Sequence, residues 1–101
     1  MTENYLQVIA HYRAKPDEVE SVAELLHELS TASRTEEANL SYEFFQGVHD
    51  KAHFVILERY RDAKGFAAHR EQDHFKAIGL GQIIPRLESR LIETYEGHLG
   101  N

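Results

Sequence analysis

FVILERYRDAKGFAAHREQDHF, residues 54–75, decides the fold of this chain because a strand passes directly into a helix. Residues 53–60 alternate between two faces, which predicts a strand, and Asp62 can cap the helix that follows. The helix carries His69, and His74 comes five residues later, beside an aromatic residue. The segment therefore predicts one wall of a pocket in which two histidines lie close to a phenylalanine.

The rest of the chain predicts three more strands and two more helical segments. The predicted elements are a strand at Tyr5–Arg13, a helix from Pro16 to about Arg34, strands at Leu40–Gln46 and His53–Tyr60, a helix from Ala63 to about Glu71, a helical segment that Asp73 caps and Pro85 ends, a strand at Leu87–Tyr95, and a tail at Glu96–Asn101. The order strand, helix, strand, strand, helix, strand predicts a ferredoxin-like α+β fold. Its four-stranded antiparallel sheet would carry helices on one face. Because the other face also carries Tyr, Phe, Ile and Leu, we expect a second copy of the sheet to cover it in a homodimer.

Length, charge and cysteine content narrow the class of protein. The 101 residues fit a single domain spanning 1–101. The net charge of -6 argues against a nucleic-acid or anionic-membrane surface, since both require clustered Lys and Arg. No cysteine is present, so disulfides, thiolate nucleophiles and Cys-based metal sites are excluded. Neither a signal peptide nor an apolar run of ~20 residues is recognisable, which predicts a cytoplasmic protein.

Three segments and their spacing carry a resemblance to a known family. They are LSYEFF at Leu40–Phe45, FVILERYRD at Phe54–Asp62 and FAAHREQDHF at Phe66–Phe75, followed by a late helix and strand. In this order they resemble the antibiotic biosynthesis monooxygenase family of small dimeric α+β barrel proteins, over nearly the whole chain. Ala38-Asn39 stands where family members often have Gly-Cys, and Tyr60 stands where many have Trp. The resemblance therefore implies no activity that depends on that cysteine or tryptophan.

The resemblance implies a monooxygenase that uses no metal, flavin or heme. A small aromatic or quinol-like substrate, once deprotonated, would pass an electron to molecular oxygen itself. The protein would supply an aromatic pocket, a base and a proton donor. Because the family also contains members with other activities, two alternatives stay open. One is an isomerase or processing enzyme for a small oxygenated signalling metabolite, and the other is a non-catalytic ligand-binding dimer.

His69 is the first candidate for catalysis, because histidine titrates near neutral pH and suits proton transfer. Glu58 is the second candidate, provided that a substrate hydroxyl, an arginine or a histidine compensates its burial. The alternative for Glu58 is a salt bridge at the rim with Arg59 or Arg61. His11 on the first strand is a further candidate. The residues that we expect to shape the substrate pocket are Tyr42, Phe44, Tyr60, His74 and Phe75.

Seven histidines raise the question of a metal site. His69 and His74 are five residues apart, rather than the four that align two ligands on one helix face. His49 and His53 flank a turn and are interpreted as exposed hairpin residues. No residue is singled out as an axial heme ligand, so the sequence predicts neither a metal nor a cofactor.

Overall fold

The computed structural model describes residues 3–99, without the side chains of Glu3, His98 and Leu99. Four antiparallel strands form one sheet in the order β2–β3–β1–β4. They are β1 (Glu3–Ala14), β2 (Asn39–Gln46), β3 (His53–Tyr60) and β4 (Leu87–Leu99). Helices pack against one face of this sheet. The predicted ferredoxin-like α+β fold is confirmed.

Helix α1, Val19–Ser33, supplies most of the helical side of the core. A short 3₁₀ turn, Pro16–Glu18, leads into it, with proline in the first turn as predicted. Its apolar stripe is buried as expected, and Leu26 and Leu29 are among its fully enclosed side chains. Each such leucine contributes about 1.5–3 kcal/mol through burial, which holds the helix against the sheet.

Strand β3 alternates strictly between a buried and a half-buried face. Phe54 and Ile56 are fully enclosed in the core on the helix side. Glu58 and Tyr60 continue the same face toward the end of the strand, and both are buried. The period-two pattern of the sequence thus places a carboxylate among apolar side chains.

Helix α2, Ala63–Arg70, follows β3 after a turn of two residues. The prediction that Asp62 caps it is confirmed, because the Asp62 carboxylate accepts a hydrogen bond from the Gly65 backbone N–H at 2.9 Å. Gly65 permits a close approach, since a Cβ there would lie 2.7 Å from the Ala38 Cβ. This packing brings the first turn of α2 against the connection between α1 and β2.

The segment after α2 is a π-helix, Phe75–Ile83, followed by a 3₁₀ turn, Ile84–Arg86. A helical segment was expected here, but the prediction that Asp73 caps it is wrong. His74 occupies the position before the first π-helical residue, and no side-chain hydrogen bond closes that end. π-Helical turns are rare in proteins, and those that occur are frequently found at functional sites.

Strand β4 is longer than the sequence pattern indicated. The prediction of a tail from Glu96 is wrong for residues 96–99, because the backbone there pairs with the start of β1. Glu96 pairs with Leu6 and Gly97 with Tyr5. Gly100 and Asn101 lie outside the described residues. Within the described residues, no helix is long and apolar enough to cross a membrane.

The sheet face opposite the helices is open and partly apolar. One row across the sheet consists of Phe45, Val55, His11 and Leu91, which are register partners from β2 to β4. The Phe45 and Leu91 side chains are 51% and 58% exposed. The expectation of an incompletely covered apolar face therefore holds for a single chain.

Candidate functional site

Glu58 and Tyr60 form a hydrogen-bonded pair on the buried face of β3. The Tyr60 hydroxyl donates to Glu58 Oε1 at 2.7 Å, and Glu58 is only 5% exposed. The alternative of a rim salt bridge with Arg59 or Arg61 is not observed, since both arginine side chains bond elsewhere. A buried carboxylate with a hydroxyl partner therefore lies between the sheet and α2.

Burial raises the pKa of Glu58 to about 7, because a carboxylate loses its hydration there. The hydrogen bond from Tyr60 lowers that pKa, and the negative field of Glu36 raises it. Near neutral pH the Glu58 carboxyl group therefore exists in both protonation states. A group with that property can give or take a proton during catalysis.

His69 lies in the last turn of α2, almost completely buried, and is held by Glu36. Its Nδ1 is 2.8 Å from Glu36 Oε2, and its Nε2 is 3.8 Å from Glu58 Oε1. An ionised carboxylate only accepts hydrogen bonds, so Nδ1 donates to Glu36 and Nε2 keeps its lone pair. Burial lowers the pKa of His69, although the bond to Glu36 opposes that shift. The neutral ring thus presents a basic nitrogen toward Glu58.

Glu36 is the site residue that the sequence did not reveal. It lies in the turn between α1 and β2, and the same carboxylate oxygen also bonds His74 Nε2. Two imidazole rings that lie five residues apart in the chain therefore converge on one carboxylate from a distant part of the sequence. A single glutamate in a polar connection carries no sequence signal for this role, because the convergence depends on how α2 packs.

Aromatic rings surround the imidazole of His69. Ring centroids lie 5.0 Å away for Phe75, 5.5 Å for Tyr60, 5.9 Å for Tyr42 and 6.3 Å for Phe66. Burial also raises the pKa of Tyr42 well above its ordinary value. The His69 side chain is almost completely removed from bulk solvent, which strengthens the electrostatic interactions between His69 and its carboxylate partners.

A small cavity opens beside Glu58 and His69. Its volume is about 20 Å³, which is room for about one water molecule. The side chains around it are Val8, Tyr12, Tyr42, Glu58, Phe66, His69, Arg70, Phe75, Arg90 and Ile92.

A wider surface groove of about 500 Å³ adjoins the cavity. The two spaces share four lining residues, Arg70, Phe75, Arg90 and Ile92. The groove lies within the size range of small-molecule sites, whereas the cavity does not. A ligand of small-molecule size would therefore fit in the groove and not in the cavity.

The structure brings most of the predicted site residues together. Tyr42, Glu58, His69 and Phe75 line the cavity, and Tyr60 and His74 join through hydrogen bonds to the two glutamates. Two candidates lie elsewhere.

Phe44 is one of them, because it packs against the hydrophobic core and does not line the cavity. His11 is the other. It lies on the open sheet face, where its Nδ1 is 3.0 Å from His53 Nε2. His53 is therefore partly buried in this contact, whereas His49 is exposed as expected. Neither Phe44 nor His11 contributes a group to the space beside Glu58.

Glu36, His69 and His74 are also the described side chains whose ligand atoms are close enough to hold a metal ion. These atoms all lie within 4.8 Å of one another. The five-residue spacing of the histidines indicated no shared helix face, and the two meet instead through Glu36. Two histidines and one carboxylate are a ligand set for iron(II). In the present arrangement, however, hydrogen bonds to Glu36 already engage one nitrogen of each ring.

The fold and this buried carboxylate–histidine cluster define a class of small α+β proteins with a cavity on the helix side of the sheet. The family profile for antibiotic biosynthesis monooxygenase matches residues 6–79, and the chain belongs to this family. The resemblance seen in the sequence is thus confirmed.

Two relatives show the extent of the similarity in sequence. The chain is 33% identical over 69 residues to "Putative monooxygenase YcnE" of Bacillus subtilis, covering 68% of this chain and 73% of that protein. It is 31% identical over 81 residues to "Putative monooxygenase Rv0793" of Mycobacterium tuberculosis, covering 78% and 79%. The word monooxygenase in these names refers to the two relatives.

The fold is shared with solved structures. PA3566 from Pseudomonas aeruginosa superposes with a TM-score of 0.84 at 28% identity, covering 91% of this chain and 92% of that one. An agreement of this kind over nearly the whole chain places the four strands and the helices in the arrangement of the family.

Proposed function

We propose that this protein is a cofactor-independent monooxygenase that oxidises a small aromatic or quinol-like compound with molecular oxygen. The observation that supports this most is the neutral His69 ring, which Glu36 holds by one nitrogen while the other faces Glu58 beside a cavity. Membership of the family and the names of two relatives support the same activity.

The proposed chemistry begins with proton removal. His69 Nε2 accepts a proton from an electron-rich substrate, and the positive imidazolium is stabilised by Glu36 across a 2.8 Å contact. The substrate anion passes one electron to oxygen, giving a substrate radical and superoxide. These combine to form a carbon–oxygen bond. The oxygenated carbon then loses its proton, and the electron pair of that C–H bond forms a carbon–oxygen double bond as the oxygen–oxygen bond breaks. One oxygen atom stays in the substrate as a carbonyl, and the other leaves as hydroxide, which takes up a proton to become water.

Glu58 supplies a proton for the departing oxygen in this scheme. Its pKa of about 7 means that a fraction of molecules holds a proton there at neutral pH. The 3.8 Å between His69 Nε2 and Glu58 Oε1 is longer than a hydrogen bond. The cavity that both side chains line has room for about one water molecule, so a small reacting group placed there can contact both. The site thus combines a base with an acid on either side of one position.

A proton-transfer isomerase is the second candidate, and the same pair of groups favours it. An acid and a base on two sides of one position can move a proton between two atoms of a substrate without oxygen. The two candidates differ in their need for oxygen, which makes an oxygen electrode the deciding instrument.

The test is oxygen uptake by chelator-treated protein with a panel of hydroquinones, including 1,4-dihydroxynaphthalene. We expect uptake above the rate of autoxidation, and we expect His69→Gln to lower kcat by about 100-fold through loss of the base. His27→Gln is the matched control, because His27 is an exposed residue of α1.

Three outcomes would contradict the proposal. They are no protein-dependent uptake with any member of the panel, an equal loss in both variants, or turnover that appears only after iron(II) is added. The last outcome would instead assign Glu36, His69 and His74 to a metal.

We further propose that the active species is a homodimer in which the open sheet faces of two chains pack together. The half-exposed row that contains Phe45 and Leu91 supports this, since an apolar surface of that kind needs a cover. The helix-side cavity would then lie away from the contact between the two sheets.

A further inference from the structure

Two arginines at the mouth of the cavity differ from the other arginines of this protein. Five of the seven arginines form a hydrogen bond or an ion pair with a described group; they are Arg13, Arg34, Arg59, Arg61 and Arg86. No such partner is found for Arg70 or Arg90 among the described side chains. These two are also the arginines that line both the cavity and the groove.

The two side chains come from different elements. Arg70 ends α2, and its guanidinium carbon lies 4.7 Å from the centroid of the Phe66 ring, which also lines the cavity. This stacking orients the guanidinium group along the rim. Arg90 is on β4 and is exposed. The positive charges of both arginines act on buried groups. Arg70 lowers the pKa of His69, and Arg90 lowers the pKa of Tyr12. Burial is the larger cause of the pKa shift in both residues.

The groove between the arginines is otherwise apolar for much of its wall. Leu80 and Ile92 are 46% and 44% exposed. Phe75 lines both the groove and the cavity, and its ring centroid lies 5.0 Å from that of His69. Glu71 is the acidic side chain in this lining, and it forms an ion pair with Lys76 at 3.2 Å. A ligand that fits these walls has an apolar ring and a negatively charged group.

We propose that Arg70 and Arg90 form an anion subsite, so that the substrate is an aromatic or quinol-like compound that carries a carboxylate or another oxyanion. This inference rests on the proposed function for the identity of the ring. A guanidinium group presents paired N–H donors that match the oxygens of a carboxylate or a phosphate. Because the whole chain has a net charge of -6, a local positive site is needed to bring an anion to the cavity.

The test compares ligands that differ in charge and need no turnover. Isothermal titration calorimetry measures the binding of 1-hydroxy-2-naphthoate, 1-naphthyl phosphate and uncharged 1-naphthol to chelator-treated protein. We expect at least one of the two anions to bind about tenfold more tightly than 1-naphthol, which corresponds to ~1.4 kcal/mol. Added salt should weaken only the binding of the anions. The order of the two anions identifies which oxyanion the subsite prefers.

Variants assign the effect to the two arginines. Arg70→Gln and Arg90→Gln should each remove most of the preference for the anion and leave binding of 1-naphthol within about twofold, since a neutral ligand does not sense the lost charge. Arg61→Gln is the matched control, because Arg61 is an exposed arginine whose ion pair lies with Glu37. Circular dichroism confirms that each variant is folded, and Arg70→Lys provides a second variant that retains the charge.

Equal binding of all three ligands to the unmodified protein would overturn the subsite. So would an equal loss of anion binding in the Arg61 variant. Because binding is read without oxygen, a failure of the monooxygenase proposal appears as absent oxygen uptake and leaves these affinities unchanged. The two proposals can therefore fail separately.

Discussion

At the scale of single residues, the burial of Glu58 links function to stability. The pKa of Glu58 is about 7 in the folded protein against an ordinary 4.5. Between these values the folded protein holds a proton that the unfolded chain releases, so its free energy of unfolding falls as pH rises through this window. The full difference corresponds to roughly 3 kcal/mol. The carboxylate that equips the site for proton transfer thus destabilises the fold at neutral and higher pH.

We therefore predict that Glu58→Gln raises the free energy of unfolding at pH 8 by up to about 3 kcal/mol and that the gain shrinks toward pH 4.5. Glutamine keeps an acceptor for the Tyr60 hydroxyl and carries no charge. Urea unfolding at pH 5, 6, 7 and 8 measures the difference, with Glu24→Gln on the exposed side of α1 as the control. A difference between variant and parent that stays constant with pH would show that Glu58 is not a shifted acid.

The sequence pattern revealed some residues of the site and not others. Glu58 and His69 were recognisable because each has an unusual place in a strand or helix pattern. Glu36 was not, because its role arises from the turn that brings it to two histidines distant in sequence. Arg70 and Arg90 were missed for a similar reason, since the pattern of charges does not show which arginines lack partners.

At the scale of elements, α2 positions His69, and Asp62 holds the first turn of that helix. The Asp62 carboxylate accepts the Gly65 N–H at 2.9 Å, and the Asp62 backbone carbonyl accepts the same N–H at 3.1 Å, so the side chain adds a second acceptor in the first turn. We predict that Asp62→Ala lowers the free energy of unfolding by about 1 kcal/mol, whereas Asp62→Asn, which keeps an acceptor, changes it by a few tenths. Urea unfolding at pH 7 measures both. Equal losses in the two variants would mean that charge rather than the cap matters.

Secondary structure followed from the sequence wherever one local rule applied. The stripe of α1 and the alternation of β3 each report a single buried face, so their positions were predictable. The end of β4 was not, because Glu96 and Gly97 have little strand character of their own and extend the strand only by pairing with β1.

In the molecule as a whole, the two faces of the single sheet have different surroundings. Its helix side holds the core and the cluster of Glu36, Glu58 and His69. Its other side presents rows of mixed apolar and polar residues that no described part of the chain covers. A single chain of this size buries a limited apolar area, so association through that face would stabilise it considerably. The cluster of Glu36, Glu58 and His69 forms within one chain, because all of its hydrogen-bond and ion-pair partners belong to that chain.

The last prediction follows from that open face. Leu91→Glu places a charge in the apolar row that also contains Phe45, and we expect it to convert a dimer into a monomer at micromolar concentration. The reason is that burying an unpaired carboxylate between two sheets costs more than the contact of one leucine returns. Light scattering coupled to size exclusion measures the mass. Val48→Glu is the matched control, since Val48 is 78% exposed in the hairpin between β2 and β3 and lies outside the row. A parent protein that is monomeric at that concentration, or a Leu91 variant that stays dimeric, would contradict the proposed sheet-to-sheet dimer.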